Sequence, residues 1–299
     1  MQFPNDVREV FVEIPGFDSF WCSHRSRRGY SGVVTYARHG ITKQAVEGFG
    51  VPKFDGEGRV MQTNHGSFIL FNVYIPNGKR ADRIEYKFKF IHDFAWKVRE
   101  LADTGVPVVV VGDLNTSILD HDNFLPSAQC LTSCFLPEER LLLASITYIP
   151  QTLRDYLNKY RLVKKDVDVR RAHHHRRITL LQTRRRNAEK KSANSTQKLP
   201  PIPGWDDPIV VPVECGIYDK VGELPQPSLI DAFRYFYPNV LQAYTCWDTV
   251  RSFRRVNKGA RIDVTLVSPA LLQVEAHTIQ QRYLSVPDTC GTDTAPTRR

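Results

Sequence analysis

An uninterrupted apolar run at residues 106–111, Val-Pro-Val-Val-Val-Val, restricts the fold more than any other feature of this sequence. Such a run is typical of a strand buried on both faces, which needs a covering layer on each side of its sheet. Gly112-Asp113-Leu114-Asn115 follows directly and places an acid and an amide at the sheet edge. Asp can act as a general base or metal ligand, and Asn can supply a neutral oxygen or a donor toward an oxyanion. Taken alone, the tetrapeptide is better explained as a turn that caps a strand.

The surrounding pattern favours an α/β fold in a single domain. Ile84–Leu101 has apolar residues at helical spacing in its second half, and it leads into the buried strand, as in a layered α/β core. A shorter helix is predicted at Ser228–Pro238, closed by its proline. Short apolar segments bounded by Gly and Pro predict strands at Val10–Ile14, Val33–Tyr36, Ser67–Tyr74, Pro107–Val111, Tyr244–Trp247 and Arg261–Val267.

The net charge of +9 is concentrated in one segment. Residues 151–198 contain 15 Lys/Arg and 4 Asp/Glu, whereas the rest of the chain contains 26 Lys/Arg and 28 Asp/Glu. We therefore predict a first domain part at residues 1–150, a basic insert at 151–205 that is expected to be disordered, and a second part of the same domain at 206–299.

Three interpretations of the insert are open. A flexible loop insertion is favoured, and a nucleic-acid-binding or nuclear-targeting arm is the second interpretation. A metal site at the adjacent histidines 173–175 is the least favoured, because consecutive histidines lack the spacing of a closed zinc site.

The cysteines and the termini indicate an intracellular soluble protein. The six cysteines form no Cys-x-x-Cys pair, so neither a zinc module nor a disulfide framework is indicated. The first residues carry no secretory signal pattern, and no window approaches the length of a membrane span.

Six motifs in order cover most of the chain outside the insert. They are Gly29–Tyr36, Asp55–Arg59, Asn72–Gly78 followed by Arg83 and Tyr86-Lys87, Gly112–Asn115, Tyr244–Trp247 and Arg261–Asp263. This series resembles the exonuclease III class of abasic-site (AP) endonucleases in the endonuclease/exonuclease/phosphatase superfamily, and most closely their eukaryotic type 2 branch.

The resemblance implies a fold, an activity and partners. The implied fold is a two-layer β-sandwich flanked by helices, DNase I-like, lacking its first strands. The implied reaction is Mg²⁺-dependent hydrolysis of DNA at abasic sites in base excision repair, with 3′–5′ exonuclease or 3′-phosphodiesterase activity; Mn²⁺ is a second candidate cofactor. The implied partner is double-stranded DNA with abasic sites or blocked 3′ ends, in the nucleus and also the mitochondrion. Neither a membrane nor an oligomer is indicated.

The resemblance also assigns chemical roles. Asp113 would take a proton from the attacking water, and Asn115 would orient that water. Tyr74 would donate a hydrogen bond to the phosphate, and Asp263 would orient a histidine. Asp113, Asn115 and Asp293 would be the metal ligands. As alternatives, Tyr74 could be an ordinary strand aromatic, and Asp263 could be a strand-end cap.

Three residues are predicted to bind DNA: Arg59, Arg83 and Trp247. For Arg59 a structural ion pair with Asp55 or Glu57 is favoured. For Trp247 a place in the core is favoured over base stacking, although the family lines its abasic-sugar pocket with apolar residues in this region.

Departures from the family pattern leave two functions open. The Asn-bearing and Glu-bearing first strands are absent, so we expect an N-terminally incomplete sequence from a truncated or mis-started gene model. Thr294 stands where the family has a histidine, and losing a general acid or base costs about 10²–10⁴-fold in rate. Thr132 stands where the family often has Asn. The protein is thus either a divergent or partial enzyme, favoured by its retained acidic residues, or a catalytically silent DNA-binding relative whose arm is the basic insert.

Overall fold

The predicted buried strand lies inside a six-stranded sheet. A computed structural model describes residues 13–78, 81–129, 133–162 and 224–273. Its strands are β1 (Phe17–Cys22), β2 (Val33–Arg38), β3 (Gln44–Glu47), β4 (Val60–Asn64), β5 (Ile69–Tyr74), β6 (Val108–Asp113), β7 (Ile230–Asp231), β8 (Cys246–Trp247), β9 (Gly259–Ala260) and β10 (Asp263–Val267). Its helices are α1 (Pro52–Asp55), α2 (Ala81–Asp103), α3 (Pro126–Gln129), α4 (Pro137–Leu143), α5 (Gln151–Leu162) and α6 (Ala232–Phe236).

The order of strands in the main sheet is β3-β4-β5-β6-β10-β7. Among the strands described for this sheet, β5 and β6 pair in parallel, because helix α2 carries the chain back along the sheet between them. Strands β1 and β2 form a separate antiparallel pair, and β8 and β9 form a short ribbon.

The two faces of the main sheet are covered differently. On one face Phe71 packs edge-on against Phe94 of α2, with ring centroids 5.4 Å apart. On the other face Asn72 Nδ2 donates to Val34 O at 2.8 Å, so β2 lies over β5. Because adjacent strand residues point to opposite faces, β5 joins a helical layer to a second sheet. This confirms the predicted β-sandwich flanked by helices; the expectation that first strands are lacking concerns residues outside the described ranges.

Most predicted elements are present, with shifted ends. The strands near residues 33, 69, 108 and 263 and the helix α2 are confirmed. The predicted strand Val10–Ile14 falls largely outside the described residues, and positions 13–14 are irregular. The predicted helix Ser228–Pro238 was too long, because Ile230 and Asp231 pair with β10 before α6 begins. Strands β1, β3 and β4 were missed.

The first residues of the predicted insert are ordered. Gln151–Leu162 forms helix α5, whose Leu153 and Leu157 are buried in the core. The expectation of disorder was wrong for this stretch, which lacks the dense Arg and His of the sequence beyond it. The adjacent histidines lie outside the described residues. Within the described ranges no helix has the length and apolarity to cross a membrane, and Cys22, Cys134 and Cys246 form no disulfide bond with one another.

Gly112 sets the backbone path of β6 just before Asp113, the last residue of that strand. Its φ is +129°, and a Cβ built there would lie 2.1 Å from Val73 O on the neighbouring strand. We expect Gly112→Ala to lower the free energy of unfolding by about 3 kcal/mol or more, from backbone strain plus the clash. Gly105→Ala is the matched control, because Gly105 has a φ of +80° but nothing within 4 Å. Urea unfolding of both variants should separate strain alone, about 1–2 kcal/mol, from strain plus clash; equal losses would contradict the role of the close approach.

Candidate functional site

Three predicted catalytic residues meet on adjacent strands. Asp113 on β6 has two register partners: Tyr74 in the parallel β5–β6 pair and Asp263 in the antiparallel β6–β10 pair. Register partners on neighbouring strands project to the same face and lie about 5 Å apart. Tyr74 shares its face with Asn72, which contacts β2. The three side chains therefore line one sheet edge, at the end of the space between the two sheets.

Asp113 is poised to exchange a proton near neutral pH. Burial, together with the adjacent Asp263 carboxylate, raises the pKa of Asp113 to about 6, even though the Asn115 N–H donates to Asp113 Oδ1 at 2.7 Å. A carboxylate with a pKa near 6 is a better general base at neutral pH than an ordinary one. No histidine contacts Asp263 in the described part of the chain, so the predicted orienting role has no partner there.

Asn115 holds the turn that follows Asp113. Its backbone is left-handed, with φ +49°, and only 5% of its surface is exposed. Its Nδ2 donates to Ile75 O at 2.8 Å, and its Oδ1 accepts from Asn77 Nδ2 at 3.2 Å. Cys134 Sγ also donates to this Oδ1 at 4.0 Å. In this geometry the side chain ties the end of β5 to the Asp113 turn.

The buried ammonium group of Lys87 also holds the turn that follows Asp113. Lys87 Nζ donates to Asn115 O at 2.7 Å, to Thr116 Oγ1 at 2.8 Å and to Glu139 Oε1 at 2.7 Å. Both side chains of the Lys87–Glu139 pair are 0% exposed. The three ammonium protons each have an acceptor, as a buried charge requires. Glu139 Oε2 also accepts from the Leu136 N–H at 3.0 Å, which anchors α4.

Tyr74 is held by a guanidinium group. Arg59 lies over the Tyr74 ring at 4.8 Å and over the Tyr30 ring at 5.6 Å, and it donates to Tyr74 O at 3.2 Å. Its Nε donates to Glu57 at 2.6 Å, which confirms the predicted ion pair. Arg59 is 4% exposed, and each of its three nitrogens donates to a protein group. The structure gives Arg59 a positioning contact to Tyr74, and its DNA contact stays a prediction.

Glu57 joins Arg59 to Arg83. Arg83 pairs with both Glu57 oxygens at 2.8 Å, and its guanidinium lies 4.1 Å from the Tyr86 ring centre. Burial acts to raise the pKa of Glu57, but the hydrogen bonds from Arg83 and Arg59 outweigh it and lower the pKa to about 2. Arg83 remains one-fifth exposed, so one face of it stays available to a ligand.

Trp247 is half-buried and lies outside the hydrophobic core, so its predicted place in the core was wrong. It belongs to the β8–β9 ribbon, its Nε1 donates to Asn257 Oδ1 at 3.0 Å, and Arg254 lies 5.1 Å from its ring. The ribbon is tied to the site because Thr245 Oγ1 accepts from the Asp263 N–H at 3.1 Å. Trp247 is half-buried, so part of its ring stays open to solvent, and its predicted DNA contact stays a prediction.

A buried charge cluster fixes the approach to Asp263. Asp122, which is 0% exposed, accepts from Arg261 Nε at 2.8 Å and from Arg234 Nε at 3.1 Å. Arg261 also pairs with Asp231 at the start of α6. Arg261 stands two residues before Asp263, so this cluster sets the position of β10 relative to the loop after β6.

The donors at the sheet edge fit a hard cation in part. Asp113 and Asp263 provide oxygen ligands of the kind that Mg²⁺ prefers. The described residues contain no group of three or more His, Cys, Asp or Glu that could hold a metal ion. Asp293, the predicted third ligand, and the departures Thr132 and Thr294 lie outside the described residues.

Lys87 belongs to one of the six sequence motifs, but no role was predicted for it. The available signal was its place on the apolar stripe of α2, where Ile84, Phe88 and Ile91 are all buried. A lysine on such a stripe must find a buried acceptor. Its partner Glu139 lies 52 residues further along the chain, and no local pattern connects the two.

Residues 4–139 match the Endonuclease/Exonuclease/phosphatase family. Recombination repair protein 1 of Drosophila melanogaster is 25% identical over 286 residues, covering 95% of this chain and 29% of that protein. DNA-(apurinic or apyrimidinic site) endonuclease 2 of Mus musculus is 23% identical over 334 residues, covering 97% of this chain and 49% of that protein. The chain thus spans less than half the length of these two relatives.

Solved structures share the fold. The APE2 catalytic domain of Xenopus laevis aligns with a TM-score of 0.56 at 20% identity, covering 88% of this chain and 69% of that chain. The 3′ phosphatase NExo from Neisseria, bound to a product DNA hairpin, aligns with a TM-score of 0.56 at 18% identity, covering 90% and 73%.

The Lys87–Glu139 pair should behave as a positioning device. We expect Lys87→Met alone to cost about 3–5 kcal/mol, because it strands a buried carboxylate. The double variant Lys87→Met/Glu139→Gln should recover much of this loss but accelerate amide exchange at Asn115, whose carbonyl loses its donor. Arg140→Met/Asp120→Asn is the control, since Arg140 is equally buried on α4 but donates to Ile118 O. Urea unfolding with amide exchange tests this, and unchanged exchange at Asn115 in the double variant would contradict it.

The Glu57 bridge should appear in the pH dependence of stability. Its pKa is lowered on folding, so the stabilisation is complete above the ordinary value of 4.5 and disappears as the pH falls toward 2. We expect Glu57→Gln to reduce the free energy of unfolding by about 1–3 kcal/mol at pH 7, and the difference from wild type to shrink below about pH 4.5. Glu100→Gln, an exposed carboxylate paired with Lys97, should change stability by less than about 0.5 kcal/mol. A pH-independent difference for Glu57→Gln would refute this assignment.

Proposed function

We propose that this protein hydrolyses DNA phosphodiester bonds at abasic sites, since residues 4–139 match the Endonuclease/Exonuclease/phosphatase family and the chain resembles the AP endonucleases of that superfamily. The observation that carries the proposal is the register of Tyr74, Asp113 and Asp263 at one sheet edge. We extend it to trimming of blocked 3′ ends and to base excision repair in the nucleus, on the strength of the resemblance.

The side chains at this edge suit in-line attack of water on a phosphate. Asp113, with its raised pKa, accepts the proton of the attacking water as the new P–O bond forms and the bond to the 3′ oxygen breaks. Asp263 keeps that proton affinity high. The Tyr74 hydroxyl makes no hydrogen bond within the described ranges, so it can donate to a phosphate oxygen where negative charge accumulates. Asn115 and Lys87 hold Asp113 in place.

A divalent cation fits this chemistry. Asp113, with Asn115 Oδ1 and Asp293 as further oxygen donors, would hold Mg²⁺ or Mn²⁺ at the edge. The cation would neutralise charge on the phosphate and the leaving oxygen.

The surface beside β10 supports DNA as the partner. Residues 250–258 form a turn whose Val250 is 82% exposed, and Arg254 lies over Trp247 next to it. Arg255 and Lys258 are also exposed on this turn. An apolar tip flanked by cations suits insertion between base steps with phosphate contacts on either side. We refer to residues 250–258 as the β8–β9 turn.

A silent DNA-binding relative is the second candidate. It is favoured by Thr294 at the family's histidine position. It predicts the same DNA surface with no hydrolysis.

Incision of a duplex carrying one abasic analogue, with Mg²⁺ or with EDTA, separates the two candidates. We expect Mg²⁺-dependent incision by the wild type, a loss of about 10²–10⁴-fold in Asp113→Asn and of about 10²–10³-fold in Tyr74→Phe, each with unchanged DNA affinity. Asp103→Asn, an exposed carboxylate at the far end of α2, should incise like the wild type. Tight binding without incision would sink the enzyme proposal in favour of the silent relative.

A further inference from the structure

The turn between β1 and β2, residues 23–32, presents three exposed arginines. Arg25, Arg27 and Arg28 are all exposed, and none forms an ion pair within the described part of the chain. Most other arginines of the domain body, such as Arg59 and Arg261, are paired with carboxylates. Unpaired, adjacent guanidinium groups form a surface suited to phosphates.

This turn has a fixed shape. His24 Nδ1 accepts from the backbone N–H groups of Ser26 at 3.1 Å and Arg27 at 3.0 Å. The Arg25 N–H donates to Gly56 O at 3.0 Å, which fastens the turn to the segment before β4. The arginines therefore project from a preorganised backbone, which reduces the entropy lost on binding.

A stack of alternating arginines and tyrosines links the turn to the candidate site. The Arg27 guanidinium lies 4.4 Å from the Tyr30 ring, and Arg59 lies between the rings of Tyr30 and Tyr74 at 5.6 and 4.8 Å. Tyr74 pairs with Asp113 on the next strand. With one strand spacing of about 4.8 Å, the turn lies within about 20 Å of Asp113, which corresponds to about six base pairs of duplex at about 3.4 Å each.

The turn stands on the opposite side of the site from the β8–β9 turn. It lies against the start of β4, on the β5 side of Asp113, whereas the β8–β9 turn adjoins β10 on the other side. We propose that the β1–β2 turn is a phosphate-binding arm for duplex DNA, so that the duplex is held on both sides of Asp113. This rests on the proposed function, because it takes the same sheet edge as the place of reaction.

The salt dependence of DNA binding tests this arm. Binding of the full chain to an uncleaved abasic duplex is measured in EDTA over a series of salt concentrations. The variant Arg25→Gln/Arg27→Gln/Arg28→Gln should bind at least about tenfold more weakly, and its slope of log affinity against log salt should fall by about 2–3, at about 0.9 per phosphate contact. The control Lys89→Gln/Lys97→Gln/Arg99→Gln removes the same charge from α2, which covers the face opposite β1 and β2, and should leave the slope unchanged.

Duplexes shortened to about two base pairs on one side of the abasic site locate the contact. The arm variant should lose its deficit relative to wild type on one of the two shortened duplexes and keep it on the other. An unchanged salt slope, or a deficit that ignores which side is shortened, would overturn the arm. If the arginine variant changes the salt slope but the wild type does not incise the duplex, the proposed function is overturned and the phosphate-binding arm stands. If the wild type incises the duplex but the arginine variant leaves the salt slope unchanged, the arm is overturned and the proposed function stands.

Discussion

The geometry of the candidate site depends on one buried ammonium group. Lys87 connects α2, α4 and the turn after β6 through three short hydrogen bonds, and its charge is matched by Glu139. A buried ion pair seldom adds stability over apolar side chains of the same size, because desolvation offsets the attraction between the charges. The pair instead fixes the orientation of the Asn115 carbonyl, and so keeps the backbone of Asn115 in its left-handed conformation. The turn after β6 thereby fixes the position of Asp113, because the Asn115 N–H donates to Asp113 Oδ1.

The same arrangement recurs on the other side of the edge. Asp122 receives both Arg234 and Arg261, and so fastens the loop after β6 to the strand that carries Asp263. Tyr74 is held by Arg59, which Glu57 in turn holds. Each of the three side chains at the edge therefore has a charged support behind it, drawn from a distant part of the sequence. Such supports are expected where the position of a reacting group must be held to a fraction of an ångström.

The sequence predicted this site better than it predicted the supports. Tyr74, Asp113 and Asp263 stand at strand ends, and strand ends can be read from local apolar patterns. Their register could not, because it depends on β10 pairing with β6 across about 150 residues. Arg59 was predicted both as an ion-pair partner and as a DNA contact, and only burial decides between them. Trp247 was placed in the core because tryptophan is apolar, but its two-residue strand lies in a ribbon outside the main sheet. The order of α5 was missed because basic composition outweighed two leucines at helical spacing.

The proposed binding of DNA requires positive charge beside the acidic edge. Asp113 and Asp263 lie side by side, and the proton affinity of Asp113 is already raised by that neighbour. A nucleic-acid phosphate brought to the same edge would be repelled by both carboxylates unless positive charge came with it. Glu57 binds both Arg59 and Arg83, so it offsets one of their two positive charges, and Arg59 is buried. Under the proposed function, further attraction would come from a cation at the edge and from Arg25, Arg27 and Arg28, which are exposed farther out. The arginines would then hold the duplex across the site. The carboxylates would repel the reacting phosphate unless the cation bound it.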